Sequence, residues 1–258
     1  MVATWQSFLK YRYLLVNLIK RDFKVKYRRS VLGILWSMLN PLLMMVILSA
    51  VFSYIFNNEI QYYPIYIMVG QLTFSFFSES TSSSMTSVLN AAPLIKKVYI
   101  PKYIFPMEKV LFSFVNIFFT SIALSAVILY FKLPLGISLV CVLPVLSLLA
   151  VFNLGVSLFL ATLTVFFRDI IHLYSVLITA LTYFTPIIYP VSVLPQFMQS
   201  LIIINPMYWY VETMRRVVME GLFPTTNQWI ACSSCAIVML IFGLLVFKKN
   251  QDKFILYI

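Results

Sequence analysis

Charged residues are rare enough in this chain to act as punctuation. Between them lie six long apolar stretches, at about 31–56, 61–90, 108–131, 135–167, 170–190 and 227–247, the fourth with Pro144 inside it. Each is close to or longer than the roughly 20 apolar residues a helix needs to cross ~30 Å of hydrocarbon. The runs are continuous, which excludes a β-barrel, whose strands alternate apolar and polar residues. The pattern predicts an all-α integral membrane protein with six transmembrane helices, in a single domain over 1–258.

Two segments fall outside the six. In residues 1–29 a helical wheel puts Gln6, Lys10, Tyr13, Asn17, Lys20, Arg21 and Lys24 on one arc. Phe8, Tyr11, Leu15, Leu18, Ile19 and Phe23 fall on the other, with Arg12 and Asp22 as exceptions. This reads as an amphipathic helix lying in the membrane interface. The stretch 191–225 is too long for a tight turn and is punctuated by Pro195, Pro206, Gly221 and Pro224. It predicts two short helices, at 196–204 and 207–220, the second supported by Glu212/Arg216 and Arg216/Glu220 at i,i+4. The first is apolar enough to dip into the outer leaflet. A non-spanning element at that depth needs protein or a water-filled cavity around it, so 191–225 is a candidate re-entrant gate.

Composition narrows the class further. The chain is 62% hydrophobic and 10% charged, with a mean hydropathy of +0.94. Soluble domains are nearer half apolar and a quarter charged, so a water-soluble enzyme, a DNA-binding domain and a disordered tail are excluded. The net charge of +11 would suggest nucleic acid if its placement did not argue otherwise. With the N-terminus inside, 16 of the 19 lysines and arginines fall on the cytoplasmic side of a six-span chain, leaving Lys132, Arg215 and Arg216 outside. That asymmetry places both termini in the cytoplasm. It faces a basic surface toward anionic lipid headgroups rather than toward nucleic acid. Cys141, Cys232 and Cys235 all lie in apolar runs, an arrangement of packing residues rather than of a disulfide framework or metal site. No cleavable signal peptide is expected, because charges interrupt residues 1–30.

Catalytic chemistry is sparse. His172 is the single histidine, and its expected place is packed or interfacial. The six glycines never form a G-x-x-x-x-G-K-[ST] phosphate loop, and HExxH and GxSxG are absent. No catalytic residue, metal site or bound cofactor is expected. Glu79 stands apart for its depth, about 25 Å into the second span at 1.5 Å per residue. It opens a run in which eight of the ten residues 78–87 are Ser or Thr. An intramembrane acid suggests function by default. Glu79 either lines a polar path or ends a helix in a solvated hydrogen-bond seam. Arg168 and Asp169 read equally as an interfacial charge pair or a functional one. The aromatic load of 17% suits interfacial belts, and aromatic faces would also suit sugar rings.

Four patches carry a resemblance. They are RDFKVKYRRSVLGILWSMLNP at 21–41, LIKKVYIP at 94–101 with Pro106, FRDIIH at 167–172, and TPIIYP at 185–190 followed by Asn205, Pro206 and Arg215. In order and spacing they resemble the ABC-2 type permeases that export lipid-linked polysaccharides of the O-antigen, capsule and teichoic acid kinds. The resemblance implies a homodimer in the cytoplasmic (inner) membrane of a bacterium, bound to two copies of a separate ABC ATPase that holds the ATP and Mg. Leu94, Ile95, Lys96, Lys97, Val98 and Tyr99 would form the coupling helix seated in the ATPase, with Arg168 and Asp169 a second contact. Tyr27, Arg28, Arg29, Ser30 and Trp36 would flank the interfacial access route for the substrate. Phe197, Leu201, Asn205, Pro206, Arg215 and Arg216 would belong to the outer gate.

Two other readings compete: an ABC-2 permease for a drug or small lipid, and a membrane enzyme acting on lipid-linked sugars. The 27–41 signature and the lack of a large extracytoplasmic domain favour the polysaccharide branch. The poverty of acids argues against the enzyme.

Overall fold

The computed structural model describes residues 2–28, 30–56 and 60–258; of 2–10 and Phe56 it describes the backbone alone. Among these residues every regular element is helical: α1 (Val2–Tyr27), α2 (Leu35–Phe56), α3 (Tyr63–Met85), α4 (Ser87–Asn90), α5 (Ala92–Ile95), α6 (Ile104–Tyr130), α7 (Val142–Phe166), α8 (Ile170–Phe184), α9 (Gln196–Ile202), α10 (Pro206–Val218) and α11 (Thr226–Asn250). Short 3-10 turns cover Ile137–Cys141, Val191–Val193 and Gln251–Leu256.

Four helical stretches are long and apolar enough to cross a membrane: Leu35–Ile55, Ile104–Tyr130, Ile137–Phe166 and Thr226–Leu256. The predicted spans at 61–90 and 170–190 are not among them, for two different reasons. The first breaks at Thr86 into α3 and the single turn of α4, and its serines and threonines lower its hydropathy. α3 is nonetheless a central helix, with 15 buried residues from Tyr63 to Met85 and neighbours α2, α6, α7, α8 and α10. A helix wrapped by protein has no need to be apolar all round. The second yields only the 15 residues of α8, because Pro186 lies just past its end and the chain leaves it as a non-helical strap, 185–190.

Helix connectivity sorts the loops into two ends. At the basic end one apolar cluster joins Leu15 and Leu18 of α1, Val88 and Ile95, Ile100, Phe105, Val165, Phe247 and Phe254. There α1 packs its predicted apolar face on α6, with Phe23 and Phe112 rings 4.5 Å apart. The larger core runs through α3, α6, α7 and α10 toward the opposite end. α7 and α11 form the tightest helix pair. A Cβ built on Gly155 would lie 2.6 Å from the Leu240 backbone nitrogen, and one on Gly243 would lie 2.9 Å from the Gly155 carbonyl carbon. Only two glycines let these backbones meet.

At the opposite end α9 and α10 form the predicted pair, with the Asn205-Pro206 elbow between them. Asn205 caps α10 through Met207 N at 3.0 Å and fastens it to Thr185 Oγ1 at 2.9 Å. Pro206 supplies the first helical residue, where its missing N–H costs nothing. α11 opens with a capping box in which Thr225 and Gln228 satisfy each other's backbone N–H.

Candidate functional site: a polar groove between α2, α3, α6 and α8

A cavity with a volume of about 700 Å³ lies between the end of α1 and helices α2, α3, α6 and α8. Polar residues occupy its basic end: Lys26, Tyr27, Ser37, Glu79 and Asn116, with Trp36 beside them. Gln71, Ser75 and Thr182 continue the polar lining, and Tyr183, Ile187 and Ile188 close the other end. A polar strip along an apolar bundle is stable only against water or a polar occupant.

The polar residues at the basic end form one network. Lys26 Nζ donates to Glu79 Oε1 at 2.5 Å. The other carboxylate oxygen, Oε2, accepts from Asn116 Nδ2 at 3.1 Å. Asn116 Oδ1 in turn accepts from Ser37 Oγ at 3.0 Å and from the Tyr27 hydroxyl at 3.2 Å. The Tyr27 and Ser37 hydroxyls also contact each other. Thus α1, α2, α3 and α6 meet at one set of hydrogen bonds on the groove wall. Glu79 lines the groove and is also a member of a hydrogen-bond seam, the second of the alternatives its sequence position left open.

Of the predicted access residues, Tyr27 and Trp36 line the groove. Ser30 accepts from Gly33 N at 3.1 Å and shapes the turn into α2. Arg28 is exposed to one side. Arg29 lies outside the described residues.

Below the groove α1 is held by charge. Asp22 accepts from both Lys109 and Arg21. Burial raises the Asp22 carboxyl's pKa, but the bonds to Lys109 and Arg21 outweigh it and hold it below its usual value. Lys109 also lies 3.3 Å from Glu108, which is buried. Glu108, Asn116 and Ser37 escaped the sequence reading. The available signal for Asn116 was an isolated amide inside an otherwise apolar span.

The predicted coupling residues sit at the basic end. Ile95 is buried in the cluster there, while Lys96, Lys97, Val98 and Tyr99 are exposed in succession, Tyr99 90% so. Leu94 is half-buried on α5. Arg168 and Asp169 are exposed at the end of α7, as is His172 on the first turn of α8. The turn at 96–99 and the α7 terminus share the cluster through Ile95, Ile100 and Val165.

The residues predicted for the gate divide. Phe197 and Leu201 are exposed on α9, while Ile202 beside them is buried. Arg216 donates Nε to Phe223 O at 3.0 Å and pairs with Glu220 at 3.6 Å, the predicted i,i+4 contact. Arg215, expected on a charged helix face, is instead 3% exposed. Its guanidinium lies on the Tyr66 ring at 3.4 Å and donates to Ile187 O at 2.9 Å. The charge pattern predicted the helix and not which side of it meets α3.

Among the described residues no group of histidines, cysteines and acids could hold a metal ion. Cys232 and Cys235 are free thiols, and Cys232 is buried against Thr213 at 3.7 Å.

Known proteins similar to this chain over most of its length are transport permeases. The chain is 29% identical over 259 residues to the O-antigen export system permease protein RfbA of Myxococcus xanthus, covering 98% of each chain. It is 29% identical over 244 residues to the protein of the same name from Klebsiella pneumoniae, covering 93% of each. To the polysialic acid transport protein KpsM of Escherichia coli it is 23% identical over 243 residues, 91% of this chain and 92% of that one. Residues 13–219 match the family described as ABC-2 type transporter, a range that runs from α1 through the groove to the end of α10. A helical bundle with a polar groove, exposed turns at its basic end and that match over most of its length is therefore a member of the ABC-2 type transporter family.

Proposed function

We propose that this chain is the permease half of an ATP-driven exporter that moves a lipid-linked polysaccharide across the cytoplasmic membrane of a bacterium. The observation that carries the reading is the groove, a polar strip from Lys26 and Glu79 to Thr182 inside a bundle otherwise built of apolar helices. The names of the O-antigen and polysialic acid relatives supply the cargo class. Six crossings, with both termini cytoplasmic, place the basic end inside. α3 crosses within a sheath of neighbours. α8 rises about 22 Å over its 15 residues, and the strap 185–190 extends its path outward.

One copy leaves the groove incomplete. α8 has a single buried residue, Tyr174, and presents Ser175, Val176 and Thr179 outward. Much of α2 is bare as well, including Leu43, Val46, Ile47 and Val51. A second copy covering these faces would enclose a path wide enough for a sugar chain, so the working unit is a homodimer. Two copies of an ABC ATPase, which bind ATP and Mg, would dock on the exposed turn 96–99 and on Arg168 and Asp169. This chain itself needs no cofactor. Membrane lipids meet the basic face of α1.

The test is ATP hydrolysis by the purified permease–ATPase complex in lipid vesicles. Lipid-linked polysaccharide should stimulate hydrolysis several-fold, and cells lacking the chain should accumulate that polymer on the cytoplasmic side. Stimulation by drugs or short lipids alone would move the protein to the other branch of the family. Failure of the chain to hold an ATPase would remove the reading altogether.

A further inference from the structure

Arg215 sits where a charged side chain has little reason to be. A guanidinium keeps its proton in proteins, so α10 carries a full positive charge into the interior. The direct contacts of the guanidinium are a ring face and a carbonyl, at 3.4 Å from the centre of Tyr66 and 2.9 Å from Ile187 O, with Glu212 acting on it only through space and not in a direct ion pair. Nε and Nη1 are buried with no hydrogen-bond partner among the described residues. Gly70 of α3 makes the room: a Cβ there would come within 2.8 Å of Arg215 Nη2. Burying a charge with so few partners is costly, and a plain packing role would be filled more stably by an apolar residue.

The bonds around Arg215 show what it holds. The successive carbonyls of Ile187, Ile188 and Tyr189 each accept one side-chain donor: Arg215 Nη2, Tyr63 Oη at 2.8 Å and Tyr66 Oη at 2.9 Å. Asn205 fastens Thr185 from the elbow before α10. The strap has no helix of its own to satisfy these groups, and Pro186 and Pro190 contribute no N–H. Ile187 and Ile188 also line the groove.

The geometry points to Arg215 as a positioning residue that clamps the strap 185–190 between α3 and α10, so that any movement of α10 is passed directly to the groove wall at Ile187 and Ile188. This goes beyond the placing of α9 and α10 at the outer mouth. It rests on the transport reading only for its effect on export.

The clamp is tested by thiol labelling of the complete permease–ATPase complex in vesicles, in a variant with its native cysteines replaced and Ile188→Cys added. Arg215→Lys keeps the charge but loses the planar stack and the forked donors. It should raise the labelling rate of that cysteine by about threefold or more, as local opening becomes easier. Gly70→Ala should do the same with Arg215 intact, because the added Cβ displaces Nη2. Tyr66→Phe keeps the ring and loses one bond, so its increase should be smaller. A cysteine at Leu222, exposed outside the clamp, should label equally in all variants; a parallel rise there would mean general loosening and overturn the proposal. Unchanged labelling in both Arg215→Lys and Gly70→Ala at normal abundance would also overturn it. Should Arg215→Lys fail to accumulate, Gly70→Ala and the double variant Tyr63→Phe/Tyr66→Phe carry the same test. Labelling needs no polymer, so raised labelling with undiminished export would uphold the clamp and count against the groove as the path.

Discussion

Asp22 shows how one carboxylate fixes the position of a helix. On the wheel it was an exception, a charge on the apolar arc of α1. In the fold that arc faces α6, and Asp22 meets Lys109 there. The sign of its pH dependence follows from its lowered value. The pair contributes fully above the unfolded carboxyl value of 3.8 and is lost as pH falls through the lower folded value. Removing one partner of a partly buried pair costs about 1 kcal/mol. Asp22→Asn should therefore raise hydrogen exchange of α1 amides by roughly fivefold at neutral pH, and the difference from the wild type should vanish in strong acid. Equal exchange at neutral pH would mean that Leu15, Leu18 and Phe23 hold α1 by themselves. At this scale the sequence exposed types and spacing but not facing. Glu79 stood out because an acid in a span is rare. Asn116 and Ser37 did not, because only the folded chain brings 37, 79 and 116 together. Arg215 looked like a surface charge because its partner is a ring 149 positions away.

Helices were legible in proportion to how much they depend on their own residues. α2, α6, α7 and α11 are the apolar helices, and each overlaps its predicted stretch, although α7 begins at Val142 rather than 135, after a 3-10 turn, and α11 runs on to Asn250. α6 begins earlier than the predicted 108, since the 3-10 and helical turns from Pro101 onward are held by backbone bonds and by Phe105 in the basic-end cluster. α3 and α8 were harder to read. The polarity of α3 is tolerated by its neighbours, and α8 stops where Pro186 and the clamp take over. Pair packing was not legible either, because Gly155 and Gly243 are 88 positions apart and carry no local signal. Their contact is the basis of a stability prediction. Gly155→Leu forces a large side chain into backbone of α11, and overpacking of this kind costs about 1–3 kcal/mol or more. The Tm of the purified protein in detergent should fall by about 5 °C or more, at roughly 2–4 °C per kcal/mol for a chain of this size. Ile237→Ala, on the exposed side of α11, should leave it within a degree or two by the same scaling. A Gly155→Leu protein as stable as the wild type would mean that α7 and α11 separate without cost.

For the molecule as a whole, the proposed function requires that a chain with no phosphate loop of its own receive the energy of ATP from a partner. The basic end offers a rigid answer. Residues 96–99 protrude as an exposed turn, with Val98 53% and Tyr99 90% accessible. Ile95 and Ile100 on either side are buried in the cluster that ties α1, α5, α6, α7 and α11 together. The C-terminal turn closes the same cluster: Phe254 packs on Phe247 and Phe166, and Lys102 Nζ donates to Gln251 O at 2.5 Å. A push on the turn is therefore delivered to the basic ends of α6, α7 and α11 at once, and through α1 to the Lys26–Glu79 network on the groove wall. Exposed apolar side chains on a stiff base are what a partner's pocket can grip. Because Val98 and Tyr99 make little of the fold, replacing both with Asp should leave abundance and dimerisation near normal. It should lower affinity for the ATPase or the stimulation of hydrolysis by about tenfold, corresponding to about 1.4 kcal/mol, and it should stop export. Arg168→Ala, at the second exposed turn, should have a smaller effect of the same kind. Both quantities are read in one vesicle preparation, by co-purification and by hydrolysis rate. Normal binding, hydrolysis and export in the Val98→Asp/Tyr99→Asp protein would detach the turn from coupling and leave it as a solvated corner of the basic end.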